Sequence, residues 1–191
     1  MAGRRTDTRD RIQDVALELF SEKGYDGTSL REIAERLDVT KAALYYHFRT
    51  KEDIVQGLVG DAAEGIAEIV EHGRALGPAE AKVEVLKRFA ALIEGRLGQV
   101  MRFMQQNVPA LKEMGLQHNL GEKMQGLFEL LCASEEDAET QLRARLALVA
   151  LVMGNNPLFG GGELARPDSE VALKVALELA SPTGGSPATA T

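Results

Sequence analysis

Apolar residues recur at helical spacing near the start of the chain. One stretch has apolar side chains at positions i, i+3, i+4, i+7 and i+8, namely Ile12, Val15, Ala16, Leu19 and Phe20. This spacing predicts the buried face of an amphipathic helix. Gly24 follows as the expected C-terminal cap, because glycine tolerates the left-handed backbone that ends many helices.

Two capping patterns predict the next two helices. Ser29 is followed three residues later by Glu32, which is the spacing of a capping box and starts a second helix. The apolar face of this helix consists of Leu30, Ile33, Ala34 and Leu37. The pattern breaks at Asp38, and Thr40 caps a short third helix that runs to about residues 46–47.

Helical patterns continue along the rest of the chain. Thr50 and Asp53 form another capping pair and open a fourth helix that runs toward Val70. Further helices are expected at about residues 86–97, 98–107, 111–114, 120–131, 142–153 and 169–180. Residues 142–153 are apolar on nearly all sides, so we expect that helix to be buried. No useful length of chain alternates apolar and polar residues as a strand would.

The second and third predicted helices form a helix-turn-helix pattern, in which two short helices are joined by a tight turn. Ala34 supplies the small residue where the helices touch, and Asp38 tolerates the left-handed turn conformation better than most residues. Val39 and Leu44 are the expected buried partners. The second helix of such a motif enters the major groove of DNA. We therefore predict an all-α fold of about nine helices, with an N-terminal three-helix helix-turn-helix domain.

The overall charge alone would not indicate a nucleic-acid partner, because the 191 residues carry a net charge of −7. Residues 1–60 carry 10 basic and 11 acidic side chains, a net charge of −1, whereas residues 61–191 carry 12 and 18, a net charge of −6. The acidity thus lies mostly in the C-terminal part, and DNA binding depends on local charge. A single cysteine, the lack of an apolar leader and short apolar runs predict a cytoplasmic protein without a membrane partner.

Residues from about 9 to 57 resemble the DNA-binding domain of the TetR family of bacterial regulators. The stretches that carry the resemblance are Ala16–Phe20, Gly24-Tyr25, Thr28–Ala34 and Thr40–Glu52, the last including Tyr-Tyr-His-Phe. Two positions depart from the family, which commonly has glycine in the turn where this chain has Asp38, and often has glycine early in the recognition helix where this chain has Ala42.

The resemblance and the helix-turn-helix pattern together give a set of expected DNA contacts: Thr28, Ser29, Thr40, Lys41, Ala42, Ala43, Tyr45, Tyr46, His47 and Lys51. Thr28 and Ser29 offer hydroxyl and helix-terminal N–H groups to a phosphate, or act only as caps. Residues 40–43 begin the recognition helix, where base edges are reached. The Lys41 ammonium meets either guanine or a phosphate, and the Ala42 methyl either touches a thymine methyl or only fills space.

The aromatic run of the third helix cannot all be buried, because its members span the helix circumference. We expect Phe48 to be buried, Tyr46 and His47 to be exposed, and Tyr45 to be half-buried with its hydroxyl outward. The resemblance implies phosphate contacts from Tyr45, Tyr46 and His47. Lys51 lies in the first turn of a helix, where a cation is unfavourable, and a phosphate partner or plain solvation explains it.

The resemblance also implies that the helices beyond the fourth form a ligand-binding and dimerisation domain. The expected division is a DNA-binding domain at 1–52, a helical effector-binding and dimerisation domain at 53–181, and a disordered tail at 182–191. Candidate ligand-lining residues are Phe89, Ile93, Phe103, Met104, Met124 and Phe128. Candidate dimer contacts are Leu146, Val149, Ala150, Met153, Leu173, Ala176, Leu177 and Ala180. For both sets the alternative is that the residues only complete the core of their own chain.

The expected function is a homodimeric repressor that binds a two-fold symmetric operator in double-stranded DNA and is released by a small apolar effector. A constitutive or protein-controlled DNA binder without an effector, or an activator, remains an alternative. The sequence lacks the nucleophile and phosphate-binding motifs of common enzymes, and His47, His72 and His118 are far apart. We therefore expect no catalytic residue, no metal and no cofactor.

Overall fold

The structure is a computed structural model that describes residues 3–115, 117–132, 137–154 and 168–181. The expected tail at 182–191 lies outside these residues. Within them the chain contains ten α-helices and no strand. The helices are α1 Gly3–Lys23, α2 Leu30–Arg36, α3 Lys41–His47, α4 Lys51–Arg74, α5 Pro78–Glu94, α6 Arg96–Gln106, α7 Val108–Glu113, α8 Gln117–Leu131, α9 Ala138–Gly154 and α10 Ser169–Ala180.

The predicted all-α fold is confirmed, and the elements differ from expectation mainly at one break. Leu97 was grouped with the helix that is now α5, but α5 ends at Glu94 and the backbone N–H of Gly95 bonds to Ala91. Leu97 therefore belongs to α6. No helix of the described residues combines the length and the apolar character needed to cross a membrane.

The described residues fall into two compact units. The first comprises residues of Met1–Gly65 and Gln99–Lys123, and the second comprises residues of Ile66–Gly98 and Met124–Thr191. The first unit thus contains α1–α3 and the first part of α4, together with a segment that begins at Gln99, after 33 intervening residues. The functional boundary expected at residues 52/53 stays a prediction.

The core of the first unit is built on the apolar face predicted for α1. Ile12, Ala16, Leu19 and Phe20 are each at most 2% exposed. The polar edge of α1 is joined to α4, because Arg9 and Gln13 both donate hydrogen bonds to the Asp61 carboxylate, at 3.2 and 2.8 Å. The guanidinium of Arg9 also lies 5.5 Å from the ring centroid of Phe48. These contacts fix α1 against α4 on the side that carries Phe48.

The helix-turn-helix has the turn chemistry that the sequence predicted. Asp38 adopts φ +55°, the left-handed conformation, and is the one non-glycine residue with positive φ among the described residues. Ala34 is 2% and Leu44 0% exposed, as expected for the helix contact. Val39 is only half-buried, so the main anchor of α3 is Leu44.

Capping side chains define the ends of the short helices. Ser29 and Glu32 form the predicted capping box, and the Thr40 hydroxyl accepts a hydrogen bond from the Ala43 N–H at 3.2 Å. The Glu32 carboxylate also accepts hydrogen bonds from the Lys23 ammonium at 2.8 Å and from the Ser29 hydroxyl and N–H at 2.9 Å. These donors, the ammonium first, lower the pKa of Glu32 to about 2. The capping carboxylate is thus ionised whenever the domain is folded near neutral pH.

In the second unit, α10 packs closely against α9 and also against α5. The closest approach is at Gly154, where an added Cβ atom would overlap the Cβ of Ala172. Val85 of α5 and Leu130 of α8 both pack over Gly73 of α4, at 2.7 and 2.9 Å from the point where a Cβ would lie. Side chains of neighbouring helices therefore pack directly on the helix backbone at these two glycines, where a larger residue would not fit.

The expectation that the helix at residues 142–153 is buried is met on only one side of the helix in the single chain. Ala144, Ala147, Leu148 and Leu151 are at most 2% exposed, but a stripe on the opposite side is open. Its members are 40–54% exposed and comprise Leu142, Leu146, Val149 and Met153. Residues 146–153 are apolar throughout, and the other helices among the described residues cover only one side of this stretch.

Replacement of Gly154 tests the α9–α10 contact. We expect Gly154→Ala to lower the free energy of unfolding by about 1–3 kcal/mol, because the new methyl group overpacks against Ala172. The matched control is Gly60→Ala in α4, where the added Cβ meets nothing within 4 Å. That control should raise the free energy of unfolding by up to about 1 kcal/mol through helix propensity. Urea unfolding of both variants measures the difference, and equal effects would contradict the close approach.

The capping box predicts a pH dependence of stability. The pKa of Glu32 is lower in the folded chain than its unfolded value of about 4.3, so its contribution is complete above that value and is lost as the pH falls toward 2. We expect Glu32→Gln to be less stable than the wild type at pH 7, with a difference that shrinks toward pH 3. Urea unfolding at several pH values measures it, with the exposed Glu18→Gln as control. A difference independent of pH would contradict the assignment.

Candidate nucleic-acid interface

The surface of α3 is the centre of the candidate interface. Only Leu44 is buried in this seven-residue helix, and the residues around it point to solvent. Tyr46 is 67% and Tyr45 49% exposed. Thr40, Lys41, Ala42 and Ala43 are also exposed. The short helix thus exposes one cation, two methyl groups and two phenol groups, and only Leu44 anchors it in the core.

The aromatic run at the end of α3 departs from expectation at two of its four positions, and the first is Tyr45, which is exposed rather than half-buried. Phe48 is 4% exposed and caps the helix through its backbone N–H, which bonds to the Leu44 carbonyl. His47 is half-buried rather than exposed. Its ring meets the Tyr46 ring edge-on, with centroids 5.3 Å apart. The two rings therefore support each other at the edge of the α3 surface.

Thr28 and Ser29, both expected at a phosphate, lie in different environments. Thr28 is 2% exposed, and its hydroxyl donates toward the carbonyl oxygens of Gly24 at 2.9 Å and Leu19 at 3.2 Å. That side chain secures the turn between α1 and α2. Ser29 is exposed at the N-terminus of α2, where it forms the capping box. Of the two residues, Ser29 is the one whose side chain reaches the surface.

Lys51 is half-buried, and its ammonium already has protein partners. The Lys51 Nζ donates a hydrogen bond to the Tyr25 carbonyl at 2.6 Å. It also lies 4.4 Å from the centroid of the Tyr25 ring, a cation–π geometry. The dipole of α4 disfavours a cation at this first position, and these contacts compensate.

Tyr25 is itself held on several sides. Its hydroxyl donates to the Glu52 carboxylate at 2.7 Å, and the ring lies 5.3 Å from Phe20 and 6.1 Å from Phe103. Burial, and then the hydrogen bond to Glu52, raise the pKa of the Tyr25 phenol far above its ordinary value. The same hydrogen bond lowers the pKa of Glu52. The phenol therefore remains a donor and the carboxylate an acceptor at physiological pH.

Charges on α2 are balanced by neighbouring carboxylates. Arg31 pairs with Glu35 at 2.6 Å, and Arg36 pairs with Glu22 at 3.1 Å. Arg49 is exposed in the loop between α3 and α4, where its backbone N–H bonds to Asp53 at 2.9 Å. The sequence reasoning did not select Arg49. Its position directly after Phe48, which was expected to be buried at the end of the third helix, is the signal that could have found it.

The candidate ligand-lining residues do not belong to a single group. Phe103 is 3% exposed in the first unit, where its ring stacks on Phe20 at 5.2 Å. Met104 belongs to the same unit. Phe89 and Ile93 of α5 are buried in the second unit, and Met124 and Phe128 of α8 are half-buried there. No cluster of three or more His, Cys, Asp or Glu in the described ranges could hold a metal ion.

The candidate dimer residues divide between exposed and buried positions. Leu146, Val149 and Met153 lie in the open stripe of α9, with Ala150 half-buried beside it. On α10, Ala176 has no exposed surface, while Leu173, Leu177 and Ala180 are half-buried. The open apolar positions of α10 are instead Val171 and Val175, at 48% and 41% exposed. The sequence shows the i, i+4 spacing of these two valines, but Leu173 and Leu177 were chosen as dimer contacts instead.

The helix-turn-helix region matches a known family. The family model described as bacterial regulatory proteins, tetR family, matches residues 12–58. Among curated proteins, the biofilm operon icaADBC HTH-type negative transcriptional regulator IcaR of Staphylococcus aureus (strain Newman) is 54% identical over 48 residues. That alignment covers 25% of this chain and 26% of IcaR, so the match spans about a quarter of the relative's length.

Two solved structures resemble nearly the whole chain. PfmR, a TetR family transcriptional regulator from Thermus thermophilus, is 28% identical and has a TM-score of 0.59, with 88% of this chain and 96% of PfmR covered. Mycobacterium smegmatis AmtR has a TM-score of 0.70 at 22% identity, with 93% and 87% covered, and shows the shared fold. The family match thus identifies residues 12–58 as a domain of the tetR family of bacterial regulatory proteins, and the likeness to PfmR shows that nearly the whole chain has the fold of a TetR family transcriptional regulator.

Proposed function

We propose that this protein is a transcriptional regulator that binds a two-fold symmetric DNA site as a homodimer. The observation that carries the proposal is the exposed face of α3. A seven-residue helix with one buried anchor and outward Lys41, Tyr45 and Tyr46 contributes little to a core. The same arrangement suits a helix that lies in a major groove.

The exposed residues of α3 are assigned roles by their chemistry. Ala42 and Ala43 at the start of the helix offer methyl groups to thymine, and the Lys41 ammonium reaches guanine or a phosphate. Tyr45, Tyr46 and Thr40 offer hydroxyl groups to phosphate oxygens. Ser29 and the free N–H groups at the start of α2 provide a second phosphate contact. His47 supports the Tyr46 ring and lies at the edge of this surface.

A homodimer follows from the needs of such a site. One short helix makes too few base contacts for tight specific binding, and a two-fold dimer presents two such helices about 34–36 Å apart. The open stripe of α9, together with Val171 and Val175 of α10, is the surface we assign to the partner copy. Six large apolar side chains at 40–54% exposure on two adjacent helices support this assignment.

Repression relieved by a small apolar effector is the finer form of the proposal. The repressor part is supported by IcaR, a negative transcriptional regulator that is 54% identical over 48 residues. Within the second unit, Phe89 and Ile93 of α5 and Met124 and Phe128 of α8 are the candidates for an effector site. A metabolite that raises the melting temperature and weakens DNA binding would favour this form over a constitutive binder.

The DNA-binding proposal predicts the outcome of a selection experiment. Purified protein incubated with genomic fragments should enrich a short two-fold symmetric site. Lys41→Ala with Tyr46→Ala should abolish the enrichment, because these changes remove exposed contacts of α3. If Lys41 reads guanine, Lys41→Ala alone should reduce discrimination at one base pair by about 1–3 kcal/mol. A uniform loss on all sequences would assign Lys41 to a phosphate.

The matched control is Lys87→Ala, which removes an exposed lysine of α5. It should leave the enriched site and the affinity unchanged. Circular dichroism confirms that each variant is folded before selection. A folded wild-type protein that enriches no symmetric site, with and without cell metabolites, would contradict the proposal.

The homodimer predicts the effect of a charge in the open stripe. Val149→Glu should convert the dimer to a monomer at micromolar concentration, because burial of an unpaired carboxylate costs several kcal/mol. Ala91→Glu is the matched control, since Ala91 is exposed on α5 outside the stripe. Sedimentation velocity measures both. A dimer that persists in Val149→Glu would place the interface elsewhere.

A further inference from the structure

We propose that Lys51 and Glu52 act as positioning residues for DNA binding, because through Tyr25 they hold the two ends of the helix-turn-helix together. The inference rests on the proposed DNA-binding function. We call Phe20, Tyr25, Lys51, Glu52 and Phe103 the Tyr25 cluster. The role proposed for Lys51 differs from the direct phosphate contact that the sequence suggested for it.

The cluster joins two segments that are separated along the chain. Tyr25 lies four residues before Ser29, which caps the start of α2. Lys51 and Glu52 are the first two residues of α4 and follow the loop that ends α3. The hydrogen bonds from Lys51 to the Tyr25 carbonyl, at 2.6 Å, and from the Tyr25 hydroxyl to Glu52, at 2.7 Å, therefore connect the entry to α2 with the exit from α3.

The Lys51 ammonium is held by the protein in the absence of DNA. It donates to a carbonyl oxygen and faces an aromatic ring at 4.4 Å. A charged hydrogen bond to a partly buried carbonyl is stronger than a neutral one. Direct transfer of this ammonium to a phosphate would remove the shorter of the two hydrogen bonds to the Tyr25 carbonyl and leave it the one from the Thr28 N–H, at 3.3 Å.

The other side of Tyr25 is fixed by aromatic packing. Tyr25 is 6% exposed, and the rings of Phe20 and Phe103 lie 5.3 and 6.1 Å from it. This packing therefore prevents the Tyr25 ring from moving together with Lys51 when DNA binds. Because the turn is held from both sides, Ser29 and the α3 surface keep a constant separation. Two phosphate contacts that must be made together benefit directly from such preorganisation.

The test compares Lys51→Met with the wild type on a DNA duplex obtained by selection. Methionine keeps an apolar stem of similar length and removes the ammonium. We expect affinity per folded molecule to fall roughly tenfold on specific and nonspecific duplexes alike, which corresponds to one lost charged hydrogen bond. The dependence of log Kd on log salt should keep the wild-type slope. Hydrogen exchange without DNA should show faster exchange of the amides at residues 24–29.

Three results would contradict the proposed role of Lys51. A direct phosphate contact would reduce the salt slope by about 0.9 in Lys51→Met, and that result overturns the proposal. A purely structural role would lower the free energy of unfolding but leave the affinity of the folded fraction unchanged, and this also overturns it. Unchanged exchange at residues 24–29 would do the same. Lys87→Met controls for the removal of one positive charge outside the cluster.

A second variant keeps the test valid if Lys51→Met does not fold. Tyr25→Phe retains the ring and the backbone carbonyl but removes the hydrogen bond to Glu52, with no change in charge. It should also weaken DNA binding with an unchanged salt slope and accelerate exchange at residues 24–29. Because the exchange measurement needs no DNA, a wild-type protein that bound no DNA would refute the proposed function while the contacts of the cluster were still measured.

Discussion

The fold of the first unit depends on keeping a seven-residue helix ordered with a single buried side chain. An isolated helix of that length is unstable in water, so α3 must be held by its surroundings. Leu44 anchors it to the core, Thr40 caps its start, and the Phe48 N–H closes its end. Asp38 in the left-handed conformation sets the angle at which the helix leaves α2. Because so few groups hold α3, nearly all of its remaining surface is free for recognition.

The sequence predicted this part well, because local patterns determine it. The capping box at Ser29, the cap at Thr40 and the turn at Asp38 involve residues at most four positions apart, and each is present. The break at Gly95 was missed because the apolar face continues from α5 to Leu97 across it. The uncovered stripe of α9 was missed for a related reason. Composition shows that a helix is apolar on all sides, but only the fold shows which sides the same chain covers.

Contacts between distant residues account for what the sequence could not predict at the candidate site. Lys51 was expected to meet either a phosphate or solvent, yet its ammonium contacts the Tyr25 carbonyl, which lies 26 positions away and has no sequence signature. Thr28 was selected as a phosphate contact because of its hydroxyl group, but this hydroxyl is buried and donates a hydrogen bond to the Gly24 carbonyl. Phe103 was assigned to a ligand site by its apolar character, whereas it packs on Phe20 and Tyr25. In each case the type of side chain could be read from the sequence, whereas the group that it contacts depends on the tertiary fold.

The composition of the first unit has a consequence for building hybrid regulators. A fusion that transplants only residues 1–52 onto a foreign effector domain separates Tyr25 and Phe20 from Phe103, which belongs to the same compact unit. The two remaining rings would then face whichever side chain the recipient supplies at that position. A recipient with an aromatic or large aliphatic residue there can replace the missing ring, whereas a small or polar residue leaves a cavity beside the turn. Compatibility between exchanged parts therefore depends on one position of α6 as much as on the point where the chains are joined.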